Sequence, residues 1–299
     1  MEVTQLELFV LLAEHLHFRR AAALSGVSAS TLSRRISDLE VEVGVRLFER
    51  NRRAVRLTPA GRVFLPDAQE TLHRLRFAAM EARRVGAGAA ERVRIGHGDA
   101  AAVEILQRAL PQLRASHPDV RLQVTEAPSS RLAERLRVGE LDLALLRAPV
   151  PAGVRSEALV SEELVAVVPT DSPLAQRRRV RAADLLEFTL VVPERTNSPG
   201  EHDAVMAALG ASGSALAVAE EASSTASLLL MVGAGLGVGL VPQAAMRHAD
   251  VAGVAVVPLA TRAVVELWLA WPHDEPSPAV RDAIAAVRAS VRESPDGGD

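Results

Sequence analysis

Apolar positions change period along this chain, and the changes divide it. Leu6, Phe9, Val10, Ala13 and Leu16 recur at spacings of three and four, which predicts an amphipathic helix, and residues 19–24 fit a second, shorter one. Gly26 interrupts the pattern. Ser28 is a good N-cap for a third helix, on which Leu32, Ile36, Leu39 and Val43 share one face. Gly44 ends it, and residues 45–50 and 54–58 then read as short strands joined by the basic turn Asn51-Arg52-Arg53. Thr58 and Pro59 supply a cap and a first-turn proline for a long helix toward Arg84. Along it Leu65, Ala68, Leu72, Leu75, Ala79 and Ala82 alternate spacings of three and four, a seam suited to a coiled-coil contact between two copies; packing within its own domain is the plainer use of the same stripe. Pro66 predicts a kink in the first turns, and residues 86–90 read as a hinge.

After Arg92 the period becomes that of strands alternating with helices. "VRIGH" (93–97), "VRLQVTE" (120–126) and "LDLALL" (141–146) are apolar runs separated by amphipathic stretches, which predicts parallel α/β units. "EELVAVVP", "FTLVVP", "SALAVAEE" and "GVGLVP" supply a second set, and "AVVELWLAW" (263–271) is long enough to return to the first. The expected fold is α/β behind an all-α-rich N-terminal winged helix-turn-helix: DNA-binding domain 1–58, linker helix and hinge 59–88, and a two-subdomain region 89–299. Its subdomain I takes about 89–160 and 264–299, and subdomain II about 161–263. Ligands of open α/β sheets bind at the carboxyl ends of strands, so the loops after Gly96, Glu126, Leu146 and Val192 should line a cleft.

Charge sharpens this division. The net charge of −3 hides 15 arginines against 11 acidic residues in 1–92 and 19 against 26 in 93–299, so a polyanion should meet the first part. The chain has no lysine; arginine's planar fork suits phosphate and guanine edges, and genome composition produces the same bias. The absence of cysteine excludes disulfides, thiolate metal sites and cysteine nucleophiles. With 48% hydrophobic residues, no signal-peptide pattern and no apolar run of about 20 residues, the expectation is a folded, soluble, cytoplasmic protein.

Ser30, Ser33, Arg34 and Ser37 share the polar side of the third helix, with Ser28, Ala29 and Thr31 at its start, so short side chains there leave room to enter a major groove while Arg34 reaches a phosphate or a base. Arg50, Arg52, Arg53 and Arg56 would neutralise backbone phosphates. The same features also fit a three-helix domain with a solvated polar face and a solvated charge run.

The string "HFRRAAALSGVSASTLSRRISDLEVEVGVRLFERNRRAVRLTPAG" (17–61) resembles the winged helix-turn-helix of the LysR-type transcriptional regulators, in the order of its parts, its "LFER" strand and its "LTPAG" helix start. Two positions depart from that pattern. Ser25 stands where leucine is usual, with Leu24 one place early, and Ala29 replaces a glutamine that reads adenine, offering only a methyl suited to thymine. "LRVGELDLAL", "DSPLA", "AADLL" and "LLLMVGAGLGVGLVP" carry the resemblance through the second half, implying a periplasmic-binding-protein-like effector domain. The resemblance implies effector contacts at Gly98, Asp99, Ala100 (where serine or threonine is usual), Ser129, Ser130, Arg147, Arg195, Thr196 and Asn197. Ser129 also reads as a cap for a helix starting near Arg131. His97, Asp99 and Glu194 beside Arg195 point to an effector with a cationic or mixed polar group. Implied partners are double-stranded DNA with a two-fold symmetric operator, a second copy through the linker helix, a tetramer through the effector domains, and RNA polymerase; no cofactor, metal or membrane is expected.

Two other classes fit less well. An enzyme would need converging acid, base and nucleophile, yet "GAGLGVG" (233–239) fails the register of G-x-G-x-x-G, and there is neither a P-loop lysine nor a G-x-S-x-G elbow. A solute-binding protein would fit the α/β half but not a basic N-terminal domain without a signal peptide.

Overall fold

A computed structural model describes residues 1–50, 55–86, 90–150, 153–210, 218–247, 251–273 and 275–292. The chain forms two compact units, Met1–Ala89 and Ala90–Asp299. The first contains α1 (Val3–His15), α2 (Phe18–Ser25), α3 (Ala29–Val43), the antiparallel strands β1 (Phe48–Arg50) and β2 (Val55–Leu57), and α4 (Pro59–Gly86). The apolar face predicted for the third helix is what holds this unit together: Leu32, Ile36 and Leu39 are fully buried with Phe9, Leu12 and Leu47. Phe9 lies between Phe48 and Phe64, with ring centroids 5.3 and 5.1 Å away in tilted and edge-on arrangements. Gly44 closes α3 at φ +81°, the left-handed conformation that lets the chain turn into β1.

The stripe along α4 divides in use. Ala68 and Leu72 are buried in the unit's own core, which corrects the intermolecular role expected for these two to packing in cis, and Leu65 packs partly against the same core. Leu75, Ala79 and Ala82 are exposed. The reason is length: 28 residues at about 1.5 Å each make a helix of about 42 Å, longer than the small domain it covers. The helix continues through Pro66, where the expectation was a local kink. The hinge expected at residues 86–90 falls largely outside the described residues.

The second unit runs β3 (Arg92–His97), α5 (Ala100–Ser116), β4 (Arg121–Glu126), α6 (Ser129–Arg137), β5 (Leu143–Arg147), β6 (Val154–Pro169), α7 (Ala182–Leu185) and β7 (Leu190–Pro193). It continues with α8 (Pro199–Ala208), β8 (Val218–Ala222), α9 (Thr225–Gly233), β9 (Gly239–Pro242), α10 (Ala244–Arg247), β10 (Val254–Pro258), β11 (Val264–Pro272) and α11 (Pro278–Arg292). The strand order is β10-β6-β11-β5-β3-β4, with β9 also on β6, and β7 pairs β8. The runs expected to form parallel units, now β3, β4 and β5, do pair parallel, as does β7 with β8; β6, β9, β10 and β11, whose direction the sequence left open, pair antiparallel. Apolar runs reveal strands but not their direction, and β10 was not among the runs expected.

Two strands tie the lobes of this unit together. β6 is 16 residues long and pairs with β11 from Val154 to Glu163. On β11, Leu267, Leu269 and Trp271 enter the core built on β3, β5, α5 and α11, whereas Val265 enters the core built on Leu164, Leu190, Val205 and Leu240. The strand passes from one core to the other between Val265 and Leu267, just before a register shift between Leu267 and Trp268.

Candidate functional site

In the first unit α3 starts as its sequence dictates: Ser28 Oγ accepts the backbone N–H of Thr31 at 3.1 Å and lies 2.8 Å from the hydroxyls of both Ser30 and Thr31. Ser28, Ala29, Ser30, Thr31 and Arg34 are exposed, and Ser33 and Ser37 are half-buried. Ser37 donates its hydroxyl back to Ser33 O at 3.0 Å, so it adds little reach. Arg35 is held by Glu2 at 2.6 Å, while Arg34 makes no ion pair among the described residues. The helix thus presents a surface of small side chains with one long, uncommitted cation.

A residue that sequence reading missed fixes the wing to this helix. Glu40 Oε1 accepts the backbone N–H groups of Leu47 and Phe48, each at 2.9 Å, so the last turns of α3 hold the strand that follows. Its signal was an acidic residue on the polar side of α3 just before Gly44, indistinguishable in sequence from a solvated one. Thr58 caps α4 by accepting Gly61 N–H at 2.9 Å and donates to Arg46 O at 2.8 Å. Arg50 ends β1, but its side chain, like Arg52 and Arg53, lies outside the described residues. At the departure Ser25, the hydroxyl donates to Ala21 O and Ala22 O at 2.9 and 3.1 Å, and Leu24 is 59% exposed. The second helix therefore lacks the apolar plug that leucine would supply there.

In the second unit a cavity of about 690 Å³ opens between the ends of β3 and β4 on one side and the loops after β7 and β8 on the other. Gly98, Asp99, Ala100, Ser129, Arg147 and Asn197 line it together, whereas Ser130, Arg195 and Thr196 do not. The three exclusions have local causes. Ser130 uses its backbone N–H on Asn197 O at 3.1 Å, Arg195 forks onto Asp203 at 2.9 and 3.2 Å, and Thr196 donates to Glu194 at 2.5 Å. The capping role expected for Ser129 is also corrected: α6 begins at Ser129 itself, and its buried hydroxyl accepts the backbone N–H of Arg147 at 3.0 Å.

Arg147 is the centre of the site, only 2% exposed at the end of β5. Its guanidinium pairs with Glu162, lies 2.7 Å from Asp99 Oδ2, and donates to Val265 O at 3.3 Å. The Asp99 contact runs from Nε off the N–H direction, so it is charge attraction rather than an aligned hydrogen bond. Burial opposes the charge on Arg147, and the carboxylates of Asp99, Glu162 and Glu201 more than reverse that, raising its pKa. Asp99 is itself committed twice, since its Oδ1 caps α5 through Ala102 N–H at 2.9 Å.

Glu201, which the sequence did not single out, faces this group from the first turn of α8 and is 9% exposed. Desolvation by burial raises its pKa, opposed by the positive charge of Arg147 and supported by the negative charges of Asp99 and Glu162. The signal was the string Ser198-Pro199-Gly200-Glu201, a helix start with its acid in the first turn. Gly200 is what allows the close approach: a Cβ there would stand 1.9 Å from Ala148 O, in the loop after β5.

Comparison with known proteins agrees with this division. Residues 3–62 match the family described as "Bacterial regulatory helix-turn-helix protein, lysR family", and residues 86–292 match "LysR substrate binding domain". The chain is 35% identical over 286 residues to the uncharacterized HTH-type transcriptional regulator YnfL of Escherichia coli strain K12, covering 94% of this chain and 96% of that one. It is 34% identical over 290 residues to the Hca operon transcriptional activator HcaR of the same organism, covering 96% and 97%. Among solved structures, a full-length OxyR variant from Pseudomonas aeruginosa is 28% identical with a TM-score of 0.55, covering 98% of this chain and 100% of that one. CbnR, a LysR family transcriptional regulator, shares the fold at 22% identity with a TM-score of 0.65, covering 97% and 99%. With a helix-turn-helix in front and a two-lobed α/β domain around a cavity behind, the chain belongs to the LysR family of DNA-binding transcriptional regulators.

Proposed function

We propose that α3 reads an operator through Ser30, Ser33 and Arg34, that Arg50, Arg52 and Arg53 hold the flanking phosphates, and that a small molecule in the α/β cavity sets the affinity. The carrying observation is Arg34, exposed and without an ion pair among the described residues, on a face otherwise made of small side chains beside the wing. A guanidinium in that position can fork onto a guanine edge once the short residues have let the helix into the groove, whereas the wing arginines see only the backbone. Ala29 contributes a methyl rather than an amide, so the base pair it meets is read by apolar contact.

The exposed end of the α4 stripe at Leu75, Ala79 and Ala82 supports a dimer through this helix, which would place two reading heads on half-sites related by two-fold symmetry. A full-length structure of CbnR complexed with its target DNA shares this fold. The assignment is to a cytoplasmic regulator rather than an enzyme: the charged groups around Arg147 are committed to one another and to a helix cap, an arrangement that binds rather than transfers groups. A ligand touching both walls of the cavity would favour one lobe arrangement, and regulation would be a population shift.

The test uses an operator recovered by selection and a scrambled duplex of equal length. Arg34→Ala should weaken operator binding by about tenfold or more with little effect on the scrambled DNA, while Arg52→Ala should weaken both by a similar factor. Equal losses for both variants on both duplexes would contradict this division between reading and holding.

A further inference from the structure

We infer that the effector is a cation, a small molecule carrying an ammonium or guanidinium group that seats against Glu201 with its body along the cavity. This rests on the reading of the cavity as the effector site. Most charged groups around the cavity are already committed. Arg147 is fully buried and faces two carboxylates, Asp99 and Glu162, so it offers no free charge to an anion. Glu194 is engaged on both oxygens, accepting from Thr196 at 2.5 Å and from Asn197 at 2.8 Å. Arg195, the cation expected to face the site, is turned onto Asp203 and does not line the cavity.

That leaves Glu201. It is more than nine-tenths buried, it lines the cavity, and among the described residues Ser198 is the one side chain near enough to donate to its carboxylate. Ser198 Oγ lies near enough to favour the ionised form yet is buried without an aligned partner. On the opposite wall His97 Nδ1 is likewise buried without a hydrogen-bond partner. A carboxylate this deeply buried with only the Ser198 hydroxyl beside it is unfavourable, and an entering N–H cation supplies the missing donors and charge. The charge balance points the same way. Arg147 is the only arginine among the described residues that line the cavity, against Asp99, Glu126, Glu194 and Glu201. A ligand carboxylate would meet a negative field with no uncommitted guanidinium to offset it. At about 690 Å³ the space suits a body of drug-like size, and Ala100, Ala101, Leu228 and Leu229 give it apolar walls.

The experiment is isothermal titration of the purified full-length protein with matched pairs: phenethylamine against 3-phenylpropanoate, butylamine against pentanoate, and agmatine against adipate. The inference predicts that amines bind in preference to their acid counterparts, that Glu201→Gln weakens the amine by about tenfold or more, and that Ala100→Trp, which fills the cavity, abolishes it. Acids bound in preference to amines, and lost in Ala100→Trp, would overturn the cationic class while leaving the cavity as the effector site. Amine binding unchanged by Glu201→Gln, or no amine bound at about 10 mM, would also overturn it. Gln is isosteric with Glu, and a single cooperative thermal transition well above the titration temperature in both variant and parent would confirm that both are folded before titration.

Discussion

Single residues in this protein carry opposite demands. Glu201 sits where burial raises its pKa against the pull of Arg147, with Asp99 and Glu162 adding to the rise. A carboxyl whose folded pKa lies above its unfolded value contributes stability that is fully present at low pH and lost as pH rises through the folded value. Glu201→Gln removes that loss, so its thermal midpoint relative to the parent should increase as pH is raised from about 5 to about 8, measured by calorimetry. A difference independent of pH, or one that shrinks, would contradict the account of Glu201 as a desolvated acid. Glu201 was not legible in the sequence because its importance comes from Arg147 and Ala148, more than fifty positions upstream, closing on α8. Asp99 was legible as a cleft residue, but not its double commitment to the α5 cap and to Arg147.

Elements were more readable where local chemistry sets them. Ser28 opens α3, Gly44 ends it, and Thr58 with Pro59 opens α4, each for reasons contained within a few residues. Strand direction was readable where strands alternate with helices, as in β3, β4 and β5, but not for β6, β9, β10 and β11, because an apolar run by itself looks the same in either orientation. The α4 stripe shows the same limit, since one spacing serves two purposes. Leu72→Ala should lower the stability of the chain by about 2–4 kcal/mol, through the cavity it leaves in the core. Leu75→Glu with Ala79→Glu should leave the thermal midpoint of the monomer unchanged and shift the sedimentation profile from dimer to monomer. A dimer that survives the double substitution would remove the exposed half of the stripe from the interface.

At the scale of the molecule, the two compact units divide the charge as well as the work. The amino-terminal unit carries the arginine excess and the small-residue helix, and the second unit carries the acidic excess and the cavity. Affinity for DNA should come mainly from arginine–phosphate contacts and fall steeply with salt, whereas discrimination between sequences should persist, because base-edge contacts release no counterions. The most direct test is selection of bound fragments from a genomic DNA pool by the purified protein at low and at physiological salt. One two-fold symmetric motif should be recovered and retained at the higher salt while bulk DNA is lost. Fragments recovered without any common motif, or a motif that vanishes together with bulk binding, would contradict that expectation.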